Sequence, residues 1–478
     1  MDVRQQDKPD YSRKWVYFGI AAIASLMGTL DSSIVNVALP TLANEFKADV
    51  KTVAWTSQAY VLAMTALLLI GGKLMDIWGE RRLFTIGFAL FTAGSALCAF
   101  SISIYMLIFS RVFQAMGGAI LMSSNQALIA RSFPPNQRGR ALGVIGTVVS
   151  IGLATGPPLG GFLIGALGWR WIFYINLPIG VVAIYYCLRV LGSKVVDFGS
   201  IKFDWSGSFL IVAGLGALFL GMTFAVDYGL TAFRVWGLII FSVIMLILFL
   251  YNEQRAQNPL LHLYLFKSRY FTQSCASAFL AFVVLMCSSI LMPFYLQNVL
   301  LFTPQKLGLF MMSMPLAMLL VAPLAGYLSD LIGTRIPASL GLAFSGAGIF
   351  SLSFLGLDAS EIDIVWRLVL IGIGMGIFGS PNSNAVLSSV PRKHVGIASG
   401  MTAMMRSSGI TFGISFSVIL YSFFRSGLAE NIDPKSPQAY LSGMESVFHV
   451  GALIAVLAVI VSATRGKRTT PEIDRQSS

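Results

Sequence analysis

Apolar stretches of about twenty residues recur from Trp15 to Ala463, separated by short segments rich in charge, glycine or proline. A helix rising 1.5 Å per residue needs about 20 predominantly apolar residues to cross the hydrocarbon core of a bilayer. The pattern predicts fourteen spanning helices, at 15–39, 53–74, 82–100, 104–130, 140–166, 171–191, 206–226, 233–251, 269–299, 305–328, 336–355, 363–389, 396–424 and 441–464. The alternating segments of about ten residues that mark a membrane β-barrel are absent. The expected fold class is therefore an all-α integral membrane protein.

Composition agrees. Of 478 residues, 56% are hydrophobic and only 11% charged, against about a quarter charged in a soluble domain. The net charge of +12 reflects where the basic residues lie rather than an affinity for nucleic acid. Of the 33 Lys and Arg, 23 fall in one alternate set of loops and eight in the other, with Arg111 and Arg406 inside helices. The positive-inside rule then puts both termini in the cytoplasm. The first apolar run is too long for a signal-peptide core, so helix 1 is expected to remain in the mature protein. Cys98, Cys187, Cys275 and Cys287 all lie in apolar runs without metal-ligand spacing, and they read as small core residues.

Two loops share the pattern G-x-L-x-D-x-x-G-x-R. One runs from Gly72 through Asp76 and Gly79 to Arg81, the other from Gly326 through Asp330 and Gly333 to Arg335, 254 residues later. Arg111 and Arg367 each open a Gly-rich helix 256 residues apart, and Pro134 and Pro391 sit in matching loops 257 apart. Six helices with loops take roughly 190 residues, so the offset leaves room for two more helices between two parallel repeats. The predicted plan is a polar N-terminus 1–14, a six-helix bundle 15–191, a segment 192–268 carrying two extra helices, a second bundle 269–464 and a tail 465–478.

Asp31 is the one carboxylate well inside a predicted helix, and an ionisable group there is costly and by default functional. Helical rise places it roughly 24 Å from the inner surface, and places Arg111 at a comparable depth. The two are either a proton-coupling pair or a static ion pair that fixes the packing of helices 1 and 4. In the repeated loop, Gly72 permits close helix contact, Gly79 a tight turn, Asp76 a pairing with a helix N-terminus or a basic group, and Arg81 and Arg82 anchorage at the headgroups. Two copies point to a gate at the inner surface, with Asp330 and Arg335 in the second. Gly152, Gly156, Pro157, Pro158, Gly160 and Gly161 in helix 5 imply close backbone contact and a kink.

These pieces together resemble the major facilitator superfamily, and within it the fourteen-helix drug:H⁺ antiporters. The repeated loop resembles the superfamily's signature loop, with Ile77 standing where that loop usually has a basic residue, so its charge pairing is expected to rest on Arg81 and Arg82. Gly152, Gly156, Pro157, Gly160 and Gly161 resemble the antiporter motif G-x-x-x-G-P-x-x-G-G. The Leu30–Pro40 stretch and the segment from Trp169 through Arg170, Trp171 and Asn176 to Pro178 are similar to signatures of the same group, as are Gly396, Gly400, Arg406 and Gly409. The resemblance implies the major facilitator fold: two six-helix bundles plus two extra helices in the inner membrane. It also implies proton-coupled export of lipophilic, often cationic, drugs, with the proton as coupling ion and no cofactor. The alternative with the same fold is a dedicated exporter of one metabolite, lipid or self-made antibiotic. In a cell with an outer membrane, a periplasmic adaptor and an outer-membrane channel would be its partners.

Candidate substrate contacts are aromatic or amide groups on helices expected to face the cavity: Asn36, Trp55, Gln58, Tyr60, Asn125, Gln126, Tyr295, Gln297, Asn382 and Asn384. Helix–helix adhesion or interfacial anchoring accounts for such groups equally well. Arg406 lies near the midplane with no acidic neighbour in sequence, and either caps backbone carbonyls or meets substrate or proton. No Ser/His/Asp set, metal cluster or phosphate-binding glycine loop appears, so neither an enzyme nor an ATP-driven pump is expected.

Overall fold

The computed structural model describes residues 13–48, 50–192, 203–229, 231–302, 304–391, 394–427 and 437–466. Arg4, Lys8, Lys194, Lys202, Arg392, Lys393, Lys435, Lys467, Arg468 and Arg475, all counted in the charge asymmetry, lie outside the described residues. Fourteen helices are long and apolar enough to cross a membrane. They are built on α1 (Lys14–Phe46), α2 (Val50–Trp78), α3 (Glu80–Ala99), α4 (Ile104–Ser132), α5 (Arg138–Leu167), α6 (Asn176–Val190, the main part of the span Trp171–Val190) and α7 (Trp205–Tyr228). The rest are α8 (Phe233–Arg255), α9 (Arg269–Phe294), α10 (Ser313–Ile332), α11 (Arg335–Leu352), α12 (Glu361–Ser388), α13 (Val395–Gly427) and α14 (Pro437–Ala463).

Two boundaries differ from expectation. Helix 1 was expected to stop at Leu39, yet α1 runs through Pro40 to Phe46, because inside a bundle neighbouring helices satisfy backbone groups that a proline frees. The tenth span, expected to be continuous, breaks into Pro304–Met311 and α10, whose third residue is Pro315; a proline lacks the N–H that would continue a helix but fits its first turn. Glycine behaves as expected: Gly79 and Gly333 end α2 and α10 with φ of +75° and +85°, values that side-chain-bearing residues rarely adopt.

The closest packed pairs repeat with a shift of eight helices. α2 on α4 matches α10 on α12, α3 on α4 matches α11 on α12, and α1 on α5 matches α9 on α13. The halves meet along two equivalent seams, α2 against α13 and α5 against α10. α7 lies beside the first seam, touching both α2 and α13, and α8 packs on α7. The second half has its own apolar core around Leu291, Leu342, Ile371, Phe378 and Phe448. Large exposed apolar side chains such as Ile240, Ile247, Leu453 and Leu457 fit a lipid-facing perimeter.

Candidate functional site

α1 and α4 carry the two charges into the interior of the first half. Asp31 Oδ2 lies 2.6 Å from Arg111 Nη1, with the two side chains 0% and 1% exposed. Three other helices complete the enclosure. Gln114, one turn after Arg111, donates from Nε2 to Asp31 Oδ1 at 2.9 Å and to Ser95 Oγ of α3 at 2.7 Å. Asn176, at the start of α6, donates to Asp31 Oδ1 at 3.1 Å. From α2, the Thr56 carbonyl accepts from Arg111 Nε at 3.1 Å, and the Tyr60 ring lies 4.1 Å from the guanidinium. Both carboxylate oxygens thus accept hydrogen bonds, and a guanidinium over an aromatic face gains further attraction.

α5 presses on α1 at this level through its glycines. A Cβ at Gly152 would sit 2.2 Å from Thr29 Oγ1, and one at Gly156 would sit 2.2 Å from Ser33 Oγ. Pro157 has no N–H, which leaves the Leu153 carbonyl four residues earlier without its helical donor. Ser33 Oγ supplies one at 3.1 Å. The same device recurs on the seam: Pro323 frees the Leu319 carbonyl, which accepts from Thr147 Oγ1 at 3.2 Å. Gly161 departs from the expectation of close contact, since nothing lies within 4 Å of a Cβ there.

The two repeated loops form two clasps at one end of the molecule, the basic end where α1 begins and α4 finishes. Asp76 accepts from the backbone N–H of Gly396 at 2.9 Å and of Ile397 at 3.0 Å, in the first turn of α13. Asp330 accepts from Gly139 and Arg140 N–H, both at 2.9 Å, in the first turn of α5. Each carboxylate thus satisfies donors that a helix N-terminus cannot satisfy internally. Glycine permits the approach: a Cβ at Gly72 would meet the Gly396 carbonyl at 2.5 Å, and one at Gly326 the Gly139 carbonyl at 2.2 Å. The expected reliance on Arg81 and Arg82 is corrected, because the cation paired with Asp76 is Arg131, at the end of α4. Arg81 is half-buried, while Arg82 and Arg335 are exposed. Asp330 has no ion pair among the described residues and is met instead by Asn384 Nδ2 at 3.5 Å.

Several predicted cavity residues are elsewhere. Tyr60, 1% exposed, is the lid over Arg111. Tyr295 is 0% exposed, with its hydroxyl donating to the Gly356 carbonyl at 2.6 Å in the core of the second half. Asn382 is buried between the Ser274 carbonyl, which accepts from its Nδ2, and Arg465, which donates to its Oδ1. Burial lowers the Arg465 guanidinium to about 10. Asn384 belongs to the Asp330 clasp, Asn125 bonds Ser25, and Trp55 packs edge-on against Phe224 of α7. In each case a polar group was expected to seek the cavity and has instead found a neighbouring helix. Asn36 and Gln297 are exposed and Gln58 half-buried, with Asn36 Oδ1 accepting from Ser57 at 3.0 Å. Gln126 lies between the halves, donating to Ser383 Oγ of α12 at 3.3 Å. Arg406 caps no backbone carbonyl among the described residues; its contact is the Met122 sulfur at 3.9 Å.

Sequence reasoning passed over Gln114 and a second buried charged cluster, and met Asn176 only as part of a signature segment. Lys73, counted as a loop charge, is 8% exposed and donates to the Pro259 carbonyl at 2.7 Å. Glu253, 4% exposed at the end of α8, accepts from Leu260 and Leu261 N–H at 3.2 and 3.3 Å. Asp204 caps α7 at Gly207 and accepts from Asn252 Nδ2 at 2.7 Å. The helical spacing of Gln114 from Arg111 was the one legible signal.

The Major Facilitator Superfamily model matches residues 21–414 and 275–478. The chain is 34% identical over 464 residues to a riboflavin transporter, RibZ, of Clostridioides difficile, covering 96% of this chain and 99% of that protein. It is 30% identical to the multidrug transporter protein MdtP of Bacillus subtilis, covering 82% and 72%. Its fold matches the crystal structure of the human organic anion transporter MFSD10 with a TM-score of 0.68 at 14% identity, covering 94% of this chain and 99% of that one.

Proposed function

The chain belongs to the major facilitator superfamily, a family of transporters and not enzymes, and from that premise we propose that it is a proton-coupled antiporter exporting lipophilic small molecules. It would lie in the cytoplasmic (inner) membrane with its basic end and both termini facing the cytoplasm, as the positive-inside rule requires. The observation that carries this reading is the enclosed Asp31–Arg111 pair. Carrying a carboxylate and a guanidinium into the membrane interior costs several kcal/mol per charge before pairing, and an ionisable residue kept there is by default functional. Protonating Asp31 would release Arg111 and loosen the α1 face that α5 grips at Gly152 and Gly156. The far end of α5 is the helix N-terminus clasped by Asp330, so a single helix links the proton site to a gate. With both clasps formed at the basic end, this is the state closed to the cytoplasm.

A cationic cargo would not reach Asp31 in this state, because the carboxylate is enclosed behind Arg111, Gln114 and Asn176. The likeness to the riboflavin transporter favours a second reading, a dedicated transporter of one metabolite. The test of coupling is Asp31→Asn in inverted vesicles. The substitution keeps size and an acceptor oxygen but no titratable proton, so uptake driven by a pH gradient should vanish while the protein stays inserted. Wild-type uptake by the Asn variant would rule out coupling through this residue.

A further inference from the structure

Arg406 remains unexplained by the proton site and the gates. It lies eleven residues into α13, about 16 Å along the helix from the basic end. Its contact, Met122, lies ten residues from the end of α4, about 15 Å from the same surface. The guanidinium therefore sits between the two halves near mid-membrane. Close packing lies just beneath it, where Gly72 meets Gly400 and Gln126 meets Ser383.

Its electrostatic situation differs from that of Arg111, Arg131 and Arg367. Arg111 has Asp31, Arg131 has Asp76, and Arg367 has Asp363 at 3.5 Å. Among the described residues no carboxylate lies within 4 Å of Arg406, which is half-buried. One turn along α4 from Met122, Gln126 Oε1 is buried without a hydrogen-bond partner. The carboxylates nearest in depth are consumed: Asp31 is 0% exposed, and both Asp76 oxygens hold the N-terminus of α13. An arginine does not shed its proton, and an uncompensated guanidinium in the membrane interior is costly.

We propose that Arg406 is the anchor for the cargo, and that the cargo class is lipophilic molecules bearing an acidic oxygen, a carboxylate or phenolate, rather than an ammonium group. The planar guanidinium forms paired charge-assisted hydrogen bonds to such an oxygen group, and the Met122 thioether offers an adaptable apolar wall beside it. The anion supplies in the loaded state the counter-charge that the protein omits. The inference rests on the exporter reading and names its substrate class.

The experiment is equilibrium binding of two probes that share a xanthene ring system, anionic fluorescein and cationic rhodamine 6G, to the purified full chain in nanodiscs without a pH gradient. The folded wild type should bind fluorescein saturably and more tightly than rhodamine 6G. Arg406→Gln should weaken fluorescein by about tenfold to a hundredfold, the worth of a charge-assisted contact, and leave rhodamine 6G unchanged or tighter. Arg406→Lys should recover much of the loss. Stronger binding of the cation by the wild type, absence of saturable fluorescein binding, or an unchanged fluorescein affinity in a folded Gln variant would each overturn the proposal. The wild-type comparison decides even if the Gln variant does not fold. No proton gradient enters, so failure here is separate from failure of the Asp31→Asn vesicle test.

Discussion

Replacing Asp76 with Asn should tip the molecule toward the state open to the cytoplasm. The carboxylate holds two N–H groups of the first turn of α13, at 2.9 and 3.0 Å, and ion-pairs with Arg131. Asparagine keeps one acceptor oxygen and turns an NH₂ toward the second N–H, so one charge-assisted bond is lost, worth about 1.5–3 kcal/mol. Loss of the charge at a helix N-terminus removes roughly another 0.3–1 kcal/mol. The Arg131 side chain is 23% exposed, and its share is small after screening. In the open state α13 begins in water and loses little, so the net bias is about 2–4 kcal/mol, a shift of roughly 30- to 900-fold between the two states. Spin labels at Val16→Cys and Leu331→Cys would read it, since these positions are 41% and 64% exposed at the basic ends of α1 and α10. The four native cysteines are buried, which confines labelling to the introduced pair. The label distance should lengthen in Asp76→Asn, and less so in Asp330→Asn, whose carboxylate has no paired cation among the described residues. An unchanged distance distribution in a folded Asp76→Asn protein would refute the clasp.

Gly156→Val should abolish transport and lower thermal stability, because even a Cβ there would lie 2.2 Å from Ser33 Oγ, whereas Gly161→Ala, with nothing within 4 Å, should be neutral in the same two assays. Lys73→Met should destabilise the protein by about 1–3 kcal/mol in a melting assay, since it strips the Pro259 carbonyl of its donor. The double variant with Glu253→Gln should recover part of that loss if the two charges stabilise each other across the cluster, and strict additivity would show that they do not.

Apolar run length and charge placement determined the helix count because they are one-dimensional properties: a bilayer demands about twenty apolar residues wherever a helix crosses it. The repeat was equally legible, since G-x-L-x-D-x-x-G-x-R recurs at a fixed offset, and the shared depth of Asp31 and Arg111 followed from helical rise alone. What the sequence could not supply was azimuth. Tyr60 and Trp55 sit five residues apart on α2, yet one covers the Arg111 guanidinium and the other meets Phe224 of α7. Tyr295, Asn382 and Asn384 were grouped as cavity residues by chemistry, but in lipid a buried amide or hydroxyl seeks whichever helix stands beside it. The partner of Asp76 is Arg131, 55 residues away, because α2 and α4 end side by side. Lys73 and Glu253 are brought together only by the return of the 256–268 segment under α2 and α8. Arg406 shows the division most plainly: its charge and depth are visible in the chain, but that no carboxylate stands near it is a property of six neighbouring helices in three dimensions, which only their packing decides.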